Sequence, residues 1–215
     1  GSISSEIGNL ENLKVLNLAF NSLTGELPSE IENLSNLKVL KLEMNRFNGE
    51  LPDGIGSLLQ LEELSAFNNF FTGEIPATVG NLTGLKVLNL SSNEFYGDIP
   101  SSLGALSQLE TLGLFENRLE GAIPRDMGKL SKLKELVLAN NRLIGDIPNE
   151  FSQLASLEVF QIQNNNFSSF KALEFLETKE YLVFDYDKED RKLEFKDINF
   201  SKTRMADTKF EDIEE

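Results

Sequence analysis

The chain of 215 residues contains neither cysteine nor histidine. These two absences exclude a Ser-His-Asp triad, a cysteine nucleophile, a disulfide bond and every metal site built on histidine or cysteine ligands. Catalysis would have to use carboxylates alone, in a pocket that brings two of them together. We therefore predict a protein that is not an enzyme, with no catalytic, metal-binding or cofactor-binding residue.

Basic charge and long apolar runs are also scarce. The sequence holds 20 lysines and arginines against 35 aspartates and glutamates, which gives a net charge of −15. Nucleic acids and anionic membrane surfaces require a basic footprint, so we expect neither as a partner. No stretch approaches the roughly 18 apolar residues of a membrane span, and no signal segment opens the chain, so we expect no membrane insertion by this sequence.

Repetition is what the sequence has in abundance. Its six prolines lie 24 residues apart, and each follows a glycine by three residues. The columns of this grid are Pro28, Pro52, Pro76, Pro100, Pro124 and Pro148; Gly25, Gly49, Gly73, Gly97, Gly121 and Gly145; Leu16, Leu40, Leu64, Leu88, Leu112, Leu136 and Phe160; and Asn21, Asn45, Asn69, Asn93, Asn117, Asn141 and Asn165. A fixed period of this length predicts a solenoid, whose units bury their apolar faces by stacking on neighbours.

One repeat unit, residues 34–55, shows how the pattern forms a coil. Residues 39–43 alternate outward and inward with two leucines inward, which is typical of a half-buried strand that pairs with its equivalents in neighbouring units. Asn45 ends the strand, and its amide can satisfy backbone groups of adjacent coils. Gly49 and Pro52 then predict a turn, followed by a short helical segment that returns the chain to the core.

The spacing Leu-xx-Leu-xx-Leu-x-Leu-xx-Asn-x-Leu-x-Gly-x-Ile-Pro-xx-Leu-Gly-x-Leu resembles the plant-type leucine-rich repeat, over residues 1 to about 167. The resemblance implies an α/β solenoid, a leucine-rich-repeat superhelix with a parallel sheet on its concave side and short 3-10 turns and strands on its convex side. It also implies that the concave sheet binds proteins, peptides or small signalling molecules, as in receptor-kinase ectodomains and polygalacturonase-inhibiting proteins. An extracellular or cell-surface location follows from this resemblance alone.

The grid also predicts the domain organisation. We assign residues 1–167 to the solenoid, as a partial first unit followed by about seven units, and residues 168–215 to a C-terminal cap without leucine-rich repeats. The first unit has Ser4 where proline belongs, and the cysteine-paired caps of the resembled ectodomains are absent. Because an uncapped end exposes apolar surface and a strand edge, we expect the natural protein to extend N-terminally, with a cloning scar at Gly1-Ser2 as the alternative.

The C-terminal segment carries weaker patterns of its own. Residues 171–180 are compatible with a short helix, and residues 181–186 with 192–195 predict a hairpin that would cover the last coil. A polar terminal segment without fixed structure is the alternative for its last part. The five-residue recurrence there resembles the pentapeptide repeat, a square β-helix, and consists of Phe195, Phe200, Met205 and Phe210.

Candidate binding residues lie in the columns that the repeat leaves free, because inward positions are committed to packing. The apolar residues in these columns have no packing role that the repeat explains. Aromatic and arginine side chains dominate interface energetics, and strands about 4.8 Å apart place Phe20 within about 20 Å of Phe115, a span that suits a peptide. The candidate partner-binding residues are Phe20, Lys41, Glu43, Met44, Arg46, Phe67, Phe70, Glu94, Phe115, Glu116, Arg118 and Arg142.

The same columns have a second interpretation. Their phenylalanines can pack against each other or against a neighbouring turn, and their charges can form an ordinary solvated face, where ion pairs contribute little. The favoured function is a non-enzymatic recognition module that binds a protein or peptide on the concave face. The alternatives are a structural or engineered scaffold without a dedicated ligand, and an inhibitor of a secreted enzyme.

Overall fold

The computed structural model describes residues 1–169, in which every coil has the same order of elements. A strand of the main sheet is followed by a turn, a second short strand and a single 3-10 segment. The main sheet has seven parallel strands in chain order, and its neighbours pair in register one repeat apart, as Leu40 does with Leu64. These strands are β1 (Val15–Asn17), β3 (Val39–Lys41), β5 (Glu63–Ser65), β7 (Val87–Asn89), β9 (Thr111–Gly113), β11 (Glu135–Val137) and β13 (Val159–Gln161).

The second strands form three smaller parallel sheets on the adjacent side, which we call the lateral side. Their orders are β2-β4-β6, β8-β10 and β12-β14. The bounds are β2 (Thr24–Gly25), β4 (Arg46–Glu50), β6 (Phe70–Thr72), β8 (Tyr96–Asp98), β10 (Arg118–Glu120), β12 (Ile144–Asp146) and β14 (Asn166–Ser169).

Seven 3-10 segments form the side opposite the main sheet. They are η1 (Ser5–Asn9), η2 (Ser29–Asn33), η3 (Asp53–Ser57), η4 (Ala77–Asn81), η5 (Ser101–Ala105), η6 (Arg125–Lys129) and η7 (Asn149–Gln153). A proline stands directly before each of them except η1, where Ser4 replaces it and its Oγ accepts a hydrogen bond from the Glu6 N–H at 3.3 Å. Strands pack more closely than these segments do, so the main sheet is the concave sheet.

The core runs without interruption between the concave sheet and the 3-10 segments. From the second coil onward its inward leucines are buried, including Leu40, Leu64 and Leu88 at 0% exposure. Two phenylalanine pairs continue the stacking from coil to coil, because the ring centroids of Phe47 and Phe71 lie 5.9 Å apart and those of Phe71 and Phe95 lie 6.3 Å apart. Each coil is therefore buried mainly by its two neighbours.

The asparagine column forms the predicted ladder. Asn93 Nδ2 donates to the carbonyls of Leu90 at 3.1 Å and Ser91 at 3.0 Å in its own coil, and to that of Ala66 at 3.0 Å in the preceding coil. Its Oδ1 accepts the Phe71 N–H at 3.0 Å. One buried amide thus satisfies backbone groups that the turn leaves unpaired.

The predicted fold class is confirmed by the parallel seven-stranded sheet and its short 3-10 turns. The last described strand, β14, continues to Ser169, two residues past the predicted end of the repeat array. The predicted hairpin and the pentapeptide-like coil lie outside the described residues.

Candidate recognition surface

The chain leaves the concave sheet through a left-handed residue in every coil. This position has φ near +55° although none of its occupants is glycine. Asparagine accepts the left-handed region more readily than other residues because its short amide can bond locally, whereas bulky side chains are strained there. The occupants are Phe20, Met44, Asn68, Ser92, Glu116, Asn140 and Asn164.

Four apolar residues lie on the first three coils, three of them at the ends of concave strands and Phe70 at the start of lateral strand β6, and we call Phe20, Met44, Phe67 and Phe70 the aromatic patch. Phe20 is 72% exposed, Phe70 53% and Met44 37%, while Phe67 is half-buried. Backbone hydrogen bonds hold three consecutive coils together here, because the Met44 N–H donates to the Phe67 carbonyl at 3.0 Å and the Phe20 N–H donates to the Glu43 carbonyl at 3.0 Å. The residues of the patch therefore lie on three adjacent, hydrogen-bonded coils.

Phe115 does not join this surface. Its side chain is only 6% exposed and packs in a small separate cluster with Val137 and Ala139 of the next coil. The expectation that the apolar residues of these columns have no packing role is wrong for Phe115. The small Ala139 stands opposite Phe115 in the register and leaves room that the ring fills.

Glu43 is also more buried than its outward position suggests. The residue is 8% exposed, and its Oε2 accepts no hydrogen bond from residues 1–169. Ser91, two coils further on in the same column, is 3% exposed, and its Oγ likewise has no partner in that part of the chain. Phe67 lies between these two residues in the register, since Asn68 N–H donates to the Ser91 carbonyl.

Other charged candidates are paired or lie at the rim. Lys41 Nζ lies 2.8 Å from Glu63 Oε1, and the pKa of Lys41 is raised above 10.5 mainly by this hydrogen bond, with a smaller contribution from the charge of Glu43. Glu116 Oε2 accepts a hydrogen bond from Ser92 Oγ at 2.7 Å.

The residue that directly follows each ladder asparagine lies beyond the end of the concave strand, in the turn or at the start of the second strand. Arg46, Phe70 and Arg118 are the first residues of β4, β6 and β10, on the lateral side. Glu94 and Arg142 occupy the same turn in their coils, and Glu94 Oε2 lies 3.0 Å from Arg118 Nη2. The structure therefore divides the sequence candidates into a group at the end of the concave strands and a group on the rim beside it.

Sequence reasoning missed a groove on the lateral side. This groove has a volume of about 540 Å³ and is lined by Glu50, Glu74, Tyr96 and Asp98 together with prolines of the same coils. A signal was present, since Glu26, Glu50, Glu74 and Asp98 are spaced 24 residues apart. These acidic residues were counted only toward the net charge, and their 24-residue spacing was not interpreted as a surface feature.

Residues 1–169 contain neither a metal-holding cluster nor a membrane-spanning helix. No group of three or more aspartate and glutamate side chains is arranged there to hold a metal ion. In the same range, the helical segments are too short and too polar for any of them to traverse a bilayer.

Family models agree with the repeat architecture. The model described as a leucine-rich repeat region matches residues 1–96, and the model of a single leucine-rich repeat matches residues 132–154. A comparison with curated protein sequences gives no match.

Solved structures with the same architecture come from plant receptors and from a bacterium. A TDR receptor is 35% identical with a TM-score of 0.81, and the alignment covers 86% of this chain and 33% of the receptor. The Arabidopsis receptor kinase HAESA, solved with the peptide hormone IDA and the co-receptor SERK1, is 38% identical with a TM-score of 0.76, covering 79% of this chain and 28% of HAESA. A leucine-rich-repeat protein of Leptospira interrogans is 36% identical with a TM-score of 0.71, covering 86% of this chain and 46% of that protein.

The parallel concave sheet, the asparagine ladder and the variable outer columns define a repeat solenoid that presents one continuous side-chain surface. The 24-residue spacing of its repeats and its similarity to the receptor ectodomains identify the class of solenoid. The chain belongs to the plant-type leucine-rich-repeat proteins. It spans about a third of the length of the two plant receptors.

Proposed function

We propose that this protein is a non-enzymatic recognition module that binds a peptide or a protein segment at the concave sheet. The observation that carries the proposal is the aromatic patch, in which Phe20 and Phe70 remain more than half exposed, although Leu64 and Phe71 in the coil of Phe70 are fully buried. Contiguous exposed apolar surface on a soluble protein marks interaction sites, and aromatic side chains there provide most of the binding energy.

Backbone strain at the same place supports this function. Phe20 and Met44 hold φ of 55° and 57°, a conformation for which asparagine stands in the same column of later coils. A bulky side chain that is both strained and exposed contributes little to folding. Strain of this kind concentrates at binding sites, where the surrounding structure maintains it.

The similarity to HAESA supports a peptide as the class of ligand, because that receptor kinase was solved with a peptide hormone. A scaffold without a dedicated ligand would bind no peptide selectively, and an enzyme inhibitor would bind a folded surface in preference to a peptide. The proposal therefore commits to an extended segment that crosses the ends of strands β1, β3 and β5.

Photo-cross-linking locates the binding site directly. A phage-displayed library of random twelve-residue peptides is selected on the wild-type protein, and an enriched peptide is resynthesised with a benzophenone side chain at each position in turn. After irradiation and proteolysis, mass spectrometry identifies the linked segments. We expect cross-links in residues 17–22, 41–46 and 65–70, which carry the aromatic patch.

A lateral-side variant serves as the matched control. Tyr96→Ala removes an exposed aromatic residue from the acidic groove, where Tyr96 is 47% exposed, and should leave binding and cross-linking unchanged. Cross-links confined to the lateral strands β8, β10, β12 and β14 or to the 3-10 segments would refute binding at the concave sheet. A library that yields no enriched peptide would refute the peptide class of ligand.

A further inference from the structure

Glu43 is a buried residue whose carboxylate lacks a hydrogen-bond donor for one of its oxygens. Its side chain is nine-tenths buried, and its Oε2 has no hydrogen-bond donor within residues 1–169. Burial removes the water that would otherwise solvate a carboxylate, and an ionised group that loses water without gaining a donor is unfavourable. The free protein therefore holds an acceptor that a ligand can satisfy.

The nearest cation on the same strand is already engaged. Lys41 Nζ is bound to Glu63 Oε1 at 2.8 Å, and this bond is the main cause of the raised pKa of Lys41. No lysine or arginine within residues 1–169 lies within ion-pair distance of Glu43. A hydrogen-bond donor supplied from outside would therefore meet an acceptor, Glu43 Oε2, that residues 1–169 leave unsatisfied.

One aromatic residue stands beside Glu43 in the register. Phe67 lies opposite Glu43 on the next coil, where the Met44 N–H donates to the Phe67 carbonyl at 3.0 Å. Met44 follows Glu43 directly, and its Sδ lies 2.8 Å from Asn68 Nδ2. Aromatic faces attract cations through their quadrupole, so a carboxylate with a phenylalanine beside it is suited to a positively charged group.

A second unsatisfied group lies on the far side of Phe67. Ser91 Oγ is buried and has no partner in the described part of the chain. Successive strands are about 4.8 Å apart, so this hydroxyl lies about two strand spacings from Glu43. A ligand that crosses the strands can therefore meet a carboxylate, an aromatic ring and a hydroxyl in sequence.

We propose that Glu43 and the aromatic patch form a subsite for an arginine side chain of the bound segment. This inference rests on the proposed recognition function and specifies the chemistry of its ligand. A guanidinium group stacks on aromatic rings, is weakly hydrated and donates two parallel hydrogen bonds to a carboxylate. An ammonium group has the charge but neither the flat face nor the fork, so arginine binds in preference to lysine.

The test compares an arginine with its uncharged counterpart. The probe is a peptide selected from the random library, together with a copy in which its arginine is replaced by citrulline, which keeps the shape but not the charge. Binding of both peptides is measured by fluorescence anisotropy to the wild type, to Glu43→Gln and to Glu158→Gln. Both substitutions remove one negative charge, and Glu158 is exposed outside the candidate binding residues, so the net charge changes equally.

We expect the wild type to bind the arginine peptide at least tenfold more tightly than the citrulline peptide. Glu43→Gln should abolish that difference, and Glu158→Gln should preserve it. If Glu43→Gln does not fold, as judged by circular dichroism, the affinities of the two peptides for the wild type decide the question. Equal affinities would then overturn the arginine subsite.

Two further results overturn the inference. In one, selected peptides lack arginine although they cross-link to the concave sheet, which leaves the recognition function intact. In the other, citrulline weakens binding to Glu43→Gln as much as to the wild type. Failure of the recognition function itself is distinct, because then no peptide cross-links at the aromatic patch.

Discussion

At the residue scale, the asparagine ladder concentrates several backbone hydrogen bonds on one side chain. Asn93 both donates to three carbonyls and accepts from Phe71 N–H, and it is 9% exposed. Asn93→Ala leaves these buried groups unpaired, so we expect a loss of about 1–3 kcal/mol in the free energy of unfolding, measured by chemical denaturation. Asn48→Ala is the control, because Asn48 is exposed on β4, and its effect should stay within about 0.5 kcal/mol. Equal effects of the two substitutions would contradict the role of the ladder.

A substitution of Met44 tests whether the aromatic patch lowers the stability of the fold while it provides binding. Its φ of 57° is costly for a long side chain, and asparagine occupies the same position at Asn140 and Asn164, where Asn164 Nδ2 donates to Asn140 Oδ1 at 2.7 Å. We expect Met44→Asn to stabilise the fold by about 1 kcal/mol, since the left-handed conformation costs most residues roughly 1–2 kcal/mol. The same change should weaken peptide binding. A destabilised variant in thermal unfolding would show that Met44 contributes to packing and not to recognition.

The sequence predicted inward residues better than outward ones. A ladder asparagine or an inward leucine has the same neighbours in every coil, so its environment follows from the period alone. Phe115 and Glu43 were not predictable in this way, because their burial depends on which side chains the adjacent coils place beside them. Ala139 and Val137 cover Phe115, whereas no such pair of small and apolar residues covers Phe20.

At the scale of the element, the turn after each ladder asparagine depends on one glycine. Gly73 has φ of +83°, and a Cβ there would lie 2.8 Å from Glu50 Cγ. We expect Gly73→Ala to lower the free energy of unfolding by about 1–2 kcal/mol, because an L side chain is strained in this conformation. Gly84→Ala is the matched control, since a Cβ there would find its nearest atom, Leu61 O, at 3.8 Å.

Gly84→Ala should be neutral or stabilising by about 0.4–1 kcal/mol, through a less flexible unfolded chain. Parallel urea titrations of the two variants provide the measurement. A larger loss for Gly84→Ala than for Gly73→Ala would contradict the assignment of the turn.

Charged residues next to the concave strands connect three coils. Glu62 Oε1 lies 3.3 Å from Lys38 Nζ and its Oε2 lies 2.7 Å from Lys86 Nζ. These two ammonium groups, Lys86 first, hold the pKa of Glu62 below its usual 4.5. A carboxyl group with a lowered pKa in the folded state contributes stability above its unfolded pKa and loses it as the pH falls through the folded pKa.

Glu62→Gln should therefore lower the thermal midpoint near neutral pH and have a vanishing effect in acid, where the wild-type Glu62 is itself protonated. The difference between the two thermal midpoints near neutral pH should be small, because Glu62 and its two lysine partners are partly exposed to solvent. Thermal midpoints of both proteins are compared from neutral pH to below the usual pKa of Glu62. A difference that persists unchanged in acid would show that packing and not charge connects the coils.

The elements themselves were predictable because each is determined locally by the 24-residue pattern. Leucine alternation indicated the concave strands, and glycine followed by proline indicated the turn and the 3-10 segment. The start of the second strands was not predictable, since it depends on where backbone pairing between coils resumes after the turn. Arg46, Phe70 and Arg118 begin second strands and therefore lie on the rim, where sequence columns alone had put them beside the concave strands.

At the scale of the whole molecule, the solenoid is a stack in which each coil contacts mainly the next. Stability in such a stack is close to a sum of coil and interface contributions, so a substitution on the outer surface of one coil leaves the others unaffected. This property allows recognition residues to vary without loss of the fold. It also allows binding and folding to be measured separately on the same variant.

The central claim is that the aromatic patch binds the partner while the inward residues maintain the fold. Its most direct test is the affinity of a wild-type-selected peptide for Phe67→Ala/Phe70→Ala, measured by isothermal titration calorimetry with thermal unfolding of the same samples. We predict an affinity loss of at least about thirtyfold, as removal of an interface hot spot causes, with a thermal midpoint close to that of the wild type. Unchanged affinity in a folded variant would contradict the account.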